Sequence, residues 1–118
     1  MGALIKPYEL SIWEDVLVNN GFVEKKVCVI GAPYLTSQSR VINPKLVSNI
    51  NGSNTLTFSI YYHYKDYITG EDVENPFARF LTNERKLKLL YDNEWYDFII
   101  KSVKVDSSKY TYDVTATD

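Results

Sequence analysis

The sequence predicts a mainly β domain: a bent antiparallel sheet, small barrel or sandwich, with one short α-helix near residues 76–82. Three observations predict it. Over residues 84–117, apolar and polar residues alternate in three runs separated by turn-forming residues, the pattern of an antiparallel meander. In the middle run the alternation changes parity: Phe98 and Ile100 share one face, while Val103 and Val105 fall on the other. A strand that keeps facing one core must carry an extra residue there, so a β-bulge is expected at Lys101 to Ser102, bending the strand as a curved sheet requires. The alternative is a strand covered on both faces. Third, Asn51-Gly52 lies between two further alternating runs, a strong short-range hairpin signal.

From the start of the chain, Tyr8, Leu10 and Ile12 alternate with Glu9, Ser11 and Trp13 as a half-buried first strand, with residues 15–18 as its continuation. Asn19-Asn20-Gly21 is a turn, because Asn and Gly accept positive φ at little cost. Phe22 to Ile30 returns as the second strand of a hairpin, bounded by Gly31-Ala32-Pro33. Residues 34–44 are polar and irregular and read as a connection. Lys45 to Ile50 is a short strand, and Leu56, Phe58, Ile60, Tyr62 and Tyr64 line one face of a long returning strand whose other face is rich in hydroxyls.

Asp66 to Asn75 reads as a solvated acidic loop. Its carboxylates, Asp66, Glu71, Asp72 and Glu74, do not have the spacing of a calcium-binding loop. Asn75-Pro76 supplies an N-cap and a first helical residue, and Phe77, Phe80 and Leu81 form an apolar stripe two turns long that must lie against the sheet. The meander follows. Leu87, Leu89 and Tyr91 alternate with Lys86 and Lys88, Asp92-Asn93-Glu94 turns the chain, and Trp95 to Val105 forms the second strand. After Asp106-Ser107-Ser108-Lys109, Tyr110, Tyr112, Val114 and Ala116 share one face of the third.

Composition narrows the function classes. The chain of 118 residues has the size of one domain, 1–118, and its 45% hydrophobic and 24% charged content is ordinary for a globular fold. A formal charge of -2 gives no general attraction to nucleic acid or to acidic membrane surfaces. No stretch approaches the roughly 20 apolar residues that span a bilayer, so no membrane insertion is expected. The single cysteine, Cys28, permits no internal disulfide and reads as a small buried residue. His63 is the single histidine and no nucleophile stands in a recognisable motif beside it. Neither a phosphate-binding loop nor a metal-ligand set is visible, and no cofactor is expected. Carboxylates are plentiful, but nothing singles out a catalytic pair.

The segments Ser37-Gln38-Ser39-Arg40, Asn43-Pro44-Lys45-Leu46, Asn51 to Phe58, Asn75-Pro76-Phe77, Asn83-Glu84-Arg85-Lys86, Trp95 to Phe98 and Asp106-Ser107-Ser108 carry a resemblance. The chain resembles, from about Phe22 to Asp118, the N-terminal region of phage tail and baseplate structural proteins, and within them the tail-hub or tail-tip family that closes the end of the tail tube. The shared motifs are turns and strand edges, which speak to fold before activity. The resemblance implies a tail-tube-like fold, a homo-oligomeric ring or hub in contact with neighbouring tail proteins, assembly in the bacterial host cytoplasm, a place in the virion and no enzymatic activity. It also implies that this domain is the N-terminal domain or a fragment of a longer protein.

A ring subunit needs long loops or exposed strand edges for its neighbours. The interface candidates are therefore Ser37, Gln38 and Arg40 in the first long connection and Glu71 and Asp72 in the acidic loop, with Trp13, Tyr61 and Trp95 as aromatic anchors off the core face. Two other classes stay open. A carbohydrate-binding β-sandwich acting in host-surface recognition would also be rich in tyrosine and tryptophan, and an enzyme would need a pocket of perturbed titratable groups.

Overall fold

The computed structural model describes residues 4, 6–32, 41–66 and 68–118. Ser37, Gln38 and Arg40, with most of the first long connection, lie outside the described residues.

The described chain is mainly β and antiparallel throughout. Its strands are β1 (Tyr8–Val18), β2 (Gly21–Gly31), β3 (Ile42–Ser48), β4 (Asn54–Tyr61), β5 (His63–Lys65), β6 (Asp72–Glu74), β7 (Lys86–Tyr91), β8 (Glu94–Asp106) and β9 (Thr111–Thr117). Seven of them form one sheet in the order β2-β1-β7-β8-β9-β4-β3, and β5 and β6 pair as a separate ribbon. The C-terminal meander is thus the middle of the sheet. The N-terminal hairpin docks on its β7 side through β1, and the β3–β4 hairpin docks on its β9 side through β4.

Alternation places one face of every sheet strand in a single core. Leu10 and Ile12, Ile30, Leu46, Leu56, Phe58 and Ile60, Leu87 and Leu89, Phe98 and Ile100, and Val114 and Ala116 belong to one buried cluster. A sheet of seven strands can gather all of these into one cluster only by rolling up. Its two edge strands approach at one end, where the Val41 amide, one residue before β3, donates to the Ile30 carbonyl of β2 at 2.9 Å. Gly31 sits at this junction because a Cβ there would come within 2.8 Å of Val41 Cγ2 and 2.9 Å of the Tyr8 ring. The edges do not pair as a ladder, so the roll is an open barrel.

The turns follow from residues that tolerate left-handed backbone. Asn19 and Asn20 have φ of 48° and 69°, and Asp92 and Asn93 have 53° and 63°. Two consecutive left-handed residues make the type I′ geometry that matches strand twist. The β3–β4 turn is longer: Ser48 pairs with Asn54, and within the intervening loop only Gly52 is left-handed, at φ 87°. The bulge falls where parity demands it. Ile100 pairs with Ala116 and Ser102 with Thr115, leaving Lys101 as the extra residue, and Val103 returns to the core opposite Val114. Val105, expected on the same face, is exposed because β8 runs past the core at that end.

Two expectations are corrected. The segment near 76–82 is no α-helix but a single 3₁₀ turn, Ala78–Phe80. Its bonds run from Phe80 N to Phe77 O and from Leu81 N to Ala78 O, and the Phe80 carbonyl is taken by Arg85 Nε at 3.1 Å. A stretch this short has no helical stability of its own, and one tight turn already buries Leu81 before the chain reaches the left-handed Glu84. The long strand expected to reach Tyr64 ends at Tyr61, and the acidic loop beyond it folds back as the β5–β6 ribbon, with His63 opposite Glu74 and Lys65 opposite Asp72. Among the described residues, no helix is long and apolar enough to cross a membrane.

Candidate interface and cleft

Two regions of the surface are unlike an ordinary solvated face. The first is the outer half of the N-terminal hairpin. β7 supports β1 only from Tyr8 to Trp13. From Glu14 onwards, β1 has β2 alone as its neighbour, in the pairs Val16 with Val23, Leu17 with Phe22 and Val18 with Gly21. The two strands therefore project as an arm, roughly 17 Å long at about 3.4 Å per residue. The radius of gyration, 14.9 Å, exceeds the about 13.5 Å of a compact chain this long. Apolar side chains crowd its tip: Leu17 is 65% exposed, Phe22 74%, and Val18 and Val23 about half.

The base of the arm is held by charge. Lys86 Nζ lies 2.9 Å from Asp15 Oδ1 and 3.5 Å from Glu24 Oε2, and Lys88 Nζ lies 3.0 Å from Glu24 Oε1. These contacts cross from β1 and β2 to β7 on the outer face of the sheet. The Lys88 hydrogen bond holds the Glu24 carboxyl below its ordinary value, and the Asp15 hydrogen bond holds the Lys86 ammonium above its own. Trp13 lies flat among them, with Lys88 Nζ 4.6 Å from its ring centre and its Nε1 donating to Ser11 Oγ at 2.8 Å. It belongs to this outer layer, partly exposed.

The second region is a cleft of about 450 Å³ where the β5–β6 ribbon, the 3₁₀ turn and the start of β9 meet. Tyr62, His63, Asp72, Glu74, Asn75, Arg79, Tyr110 and Tyr112 are among the residues lining it. Asn75, 1% exposed, builds the junction: its Nδ2 donates to the Tyr61 carbonyl at 2.7 Å and its Oδ1 accepts the Phe77 amide at 3.0 Å. The Tyr62 and Tyr112 rings stack at 5.0 Å, and Tyr110 meets Tyr62 edge-on at 6.2 Å. Tyr110 has φ 58°. For a bulky side chain such a backbone costs about 1–3 kcal/mol. It persists because the turn before it is pinned on both sides: Asp106 Oδ1 accepts the Ser108 amide and hydroxyl, which holds that carboxyl below its usual value, and the Tyr110 carbonyl accepts the Tyr62 amide at 2.9 Å.

The described members of the expected interface set, Trp13, Tyr61, Glu71, Asp72 and Trp95, do not form one patch. Trp13 and Trp95 share the outer face but lie at opposite ends of β7, opposite Lys86 and Leu90, and Trp95 is 55% exposed. Tyr61 stands across the sheet opposite Thr111, half-buried. Glu71 is exposed beside the ribbon, and Asp72 alone of the group lines the cleft. Sequence reasoning missed the arm tip and the tyrosine cluster. The tip was visible as a surplus: Val16, Leu17, Val18, Phe22 and Val23 around a tight turn are more apolar residues than one buried face needs. The cluster had no local signal, since Tyr62 and Tyr110 are far apart in the chain. Burial pushes the Cys28 thiol up, in keeping with a packing role. Among the described residues, no group of three or more His, Cys, Asp or Glu side chains could hold a metal ion.

Compared with known proteins, the chain matches no family model, no curated protein and no solved structure.

Proposed function

We propose that this chain is a structural subunit of a phage tail or baseplate, joining copies of itself in a ring or hub and contacting neighbouring tail proteins, without transforming any molecule. The observation that carries the reading is the projecting β1–β2 arm with its bare apolar tip. Contiguous exposed apolar surface of this kind marks a place where another chain sits. The sheet edges support the same reading by what they discourage. β2 carries Glu24, Lys25 and Lys26 along its edge, and β3 is interrupted where Asn43 and Pro44 face a single residue of β4. Charges, proline and bulges blunt unlimited edge pairing, which leaves insertion of the tip as the route to a defined neighbour. The resemblance of the turn and strand segments to tail-hub proteins supplies the kind of assembly.

The experiment is a location measurement. Asn51 is exposed at the tip of the β3–β4 turn, so a small epitope inserted there leaves the arm untouched. Gold labelling of intact particles is expected to mark the tail tip or baseplate of each one. Particles that carry no label, with the tagged chain left free in the lysate, overturn the reading.

A further inference from the structure

Independently of the assembly reading, we propose that the tyrosine cleft is a binding site for a neutral saccharide, a hexose or N-acetylhexosamine of one or two rings. The cleft of about 450 Å³ falls in the size class of small-ligand sites, roughly 300–1,000 Å³. Its wall is aromatic. Tyr62 and Tyr112 stack on each other, Tyr110 stands edge-on to Tyr62 and is 54% exposed, and all three line the cleft. The His63 ring lies 6.0 Å from Tyr110. A pyranose has flat faces of C–H groups that pack on such rings, and a rim of hydroxyls that each donate and accept.

The polar rim of the cleft meets both needs. Asp72 and Glu74 stand on the ribbon as acceptors, and Arg79 stands on the 3₁₀ turn as a donor. Among the described residues neither carboxylate is ion-paired to Arg79, whose guanidinium instead lies 5.1 Å from the Phe80 ring centre. A cationic ligand would meet Arg79 and an anionic one would meet two carboxylates. An uncharged polyol uses all three groups. The left-handed Tyr110 adds a second observation, because strained backbone in a bulky residue concentrates where a side chain must be held towards a ligand.

The test is an amide-resolved NMR titration of the whole chain with maltose, lactose and chitobiose, and separately with choline chloride. At least one saccharide is expected to shift the Tyr62, Tyr110 and Tyr112 amides saturably, with a dissociation constant in the millimolar range. Tyr110→Gly removes the ring while relieving the left-handed backbone, so the fold is kept, and it is expected to weaken that binding by about tenfold or more. Asp72→Asn, at an exposed position, is expected to weaken it severalfold without moving the thermal midpoint. The proposal is overturned if none of the three saccharides shifts these amides, if choline shifts them and the sugars do not, or if Tyr110→Gly binds as tightly as the parent chain.

Discussion

Leu17 and Phe22 face each other across the β1–β2 hairpin at 65% and 74% exposure, the most exposed cross-strand apolar pair of the sheet. Residues opposite in register lie on one face, so the two form a single patch. Replacing both with Thr removes that patch without opening a core and without setting like charges opposite each other. The expected outcome is a thermal midpoint nearly unchanged, within about 0.5 kcal/mol per site, together with loss of self-association by sedimentation velocity at high protein concentration. A midpoint that collapses would show that the tip is packed within its own subunit.

Asn75 ties the end of β4 to the 3₁₀ turn through the Tyr61 carbonyl. Asn75→Ala leaves that carbonyl without this donor and the Phe77 amide without this acceptor. The expected loss is about 1–3 kcal/mol per buried group left unpaired, read by chemical denaturation, with faster amide exchange in residues 62–65 and 72–74 than in the meander.

Between Ile99 and Asp106, where β8 pairs with β9, Lys101 is the one residue left out of the ladder. Its deletion leaves Ile100, Ser102 and Val103 in strict alternation opposite Ala116, Thr115 and Val114, so every inward side chain keeps its face. The chain is expected to fold with the same partners and lose about 1–3 kcal/mol through the lost bend. Deleting Lys88 from β7 instead sends Leu87 and Leu89 to opposite faces and is expected to abolish the cooperative transition. Far-ultraviolet circular dichroism during heating separates the two.

Glu24 provides the pH prediction. Its carboxyl is held below the ordinary value by Lys88 first of all, so its contribution is present above the unfolded value and fades as pH falls through the lower folded one. The pair is on the surface, and the effect on stability is expected to be small and weakened by salt. The carboxyl carbon shift of Glu24, followed from pH 7 downward, is expected to titrate below the usual 4.5, and Lys88→Gln is expected to move the midpoint up. An unchanged midpoint in that variant would sink the assignment.

Much of the architecture was legible because its causes are local. Period-two alternation marked all three strands of the meander, paired Asn and Asp residues marked the I′ turns, and a single parity switch located the bulge at Lys101. The α-helix expectation failed for a physical reason: the Phe77, Phe80 and Leu81 stripe is satisfied equally by one tight turn, and side-chain spacing alone cannot count hydrogen bonds. The candidate sites were less legible. Trp13 looked like an anchor off the core face, yet two β7 and β2 lysines cover it, and that depends on which strands lie beside β1.

By itself the sequence determined an antiparallel β chain with most of its turns, its bulge and the inward side of β1, β4, β7, β8 and β9, because these depend on neighbours two or three residues away. Tertiary structure alone decided that β1 lies beside β7 and β4 beside β9, that β4 stops at Tyr61, and that Tyr62 stacks on Tyr112 in a cleft shared with Arg79 and Asp72. Those relations join segments tens of residues apart, and only the closure of one shared core selects them from the pairings that the same alternation allows.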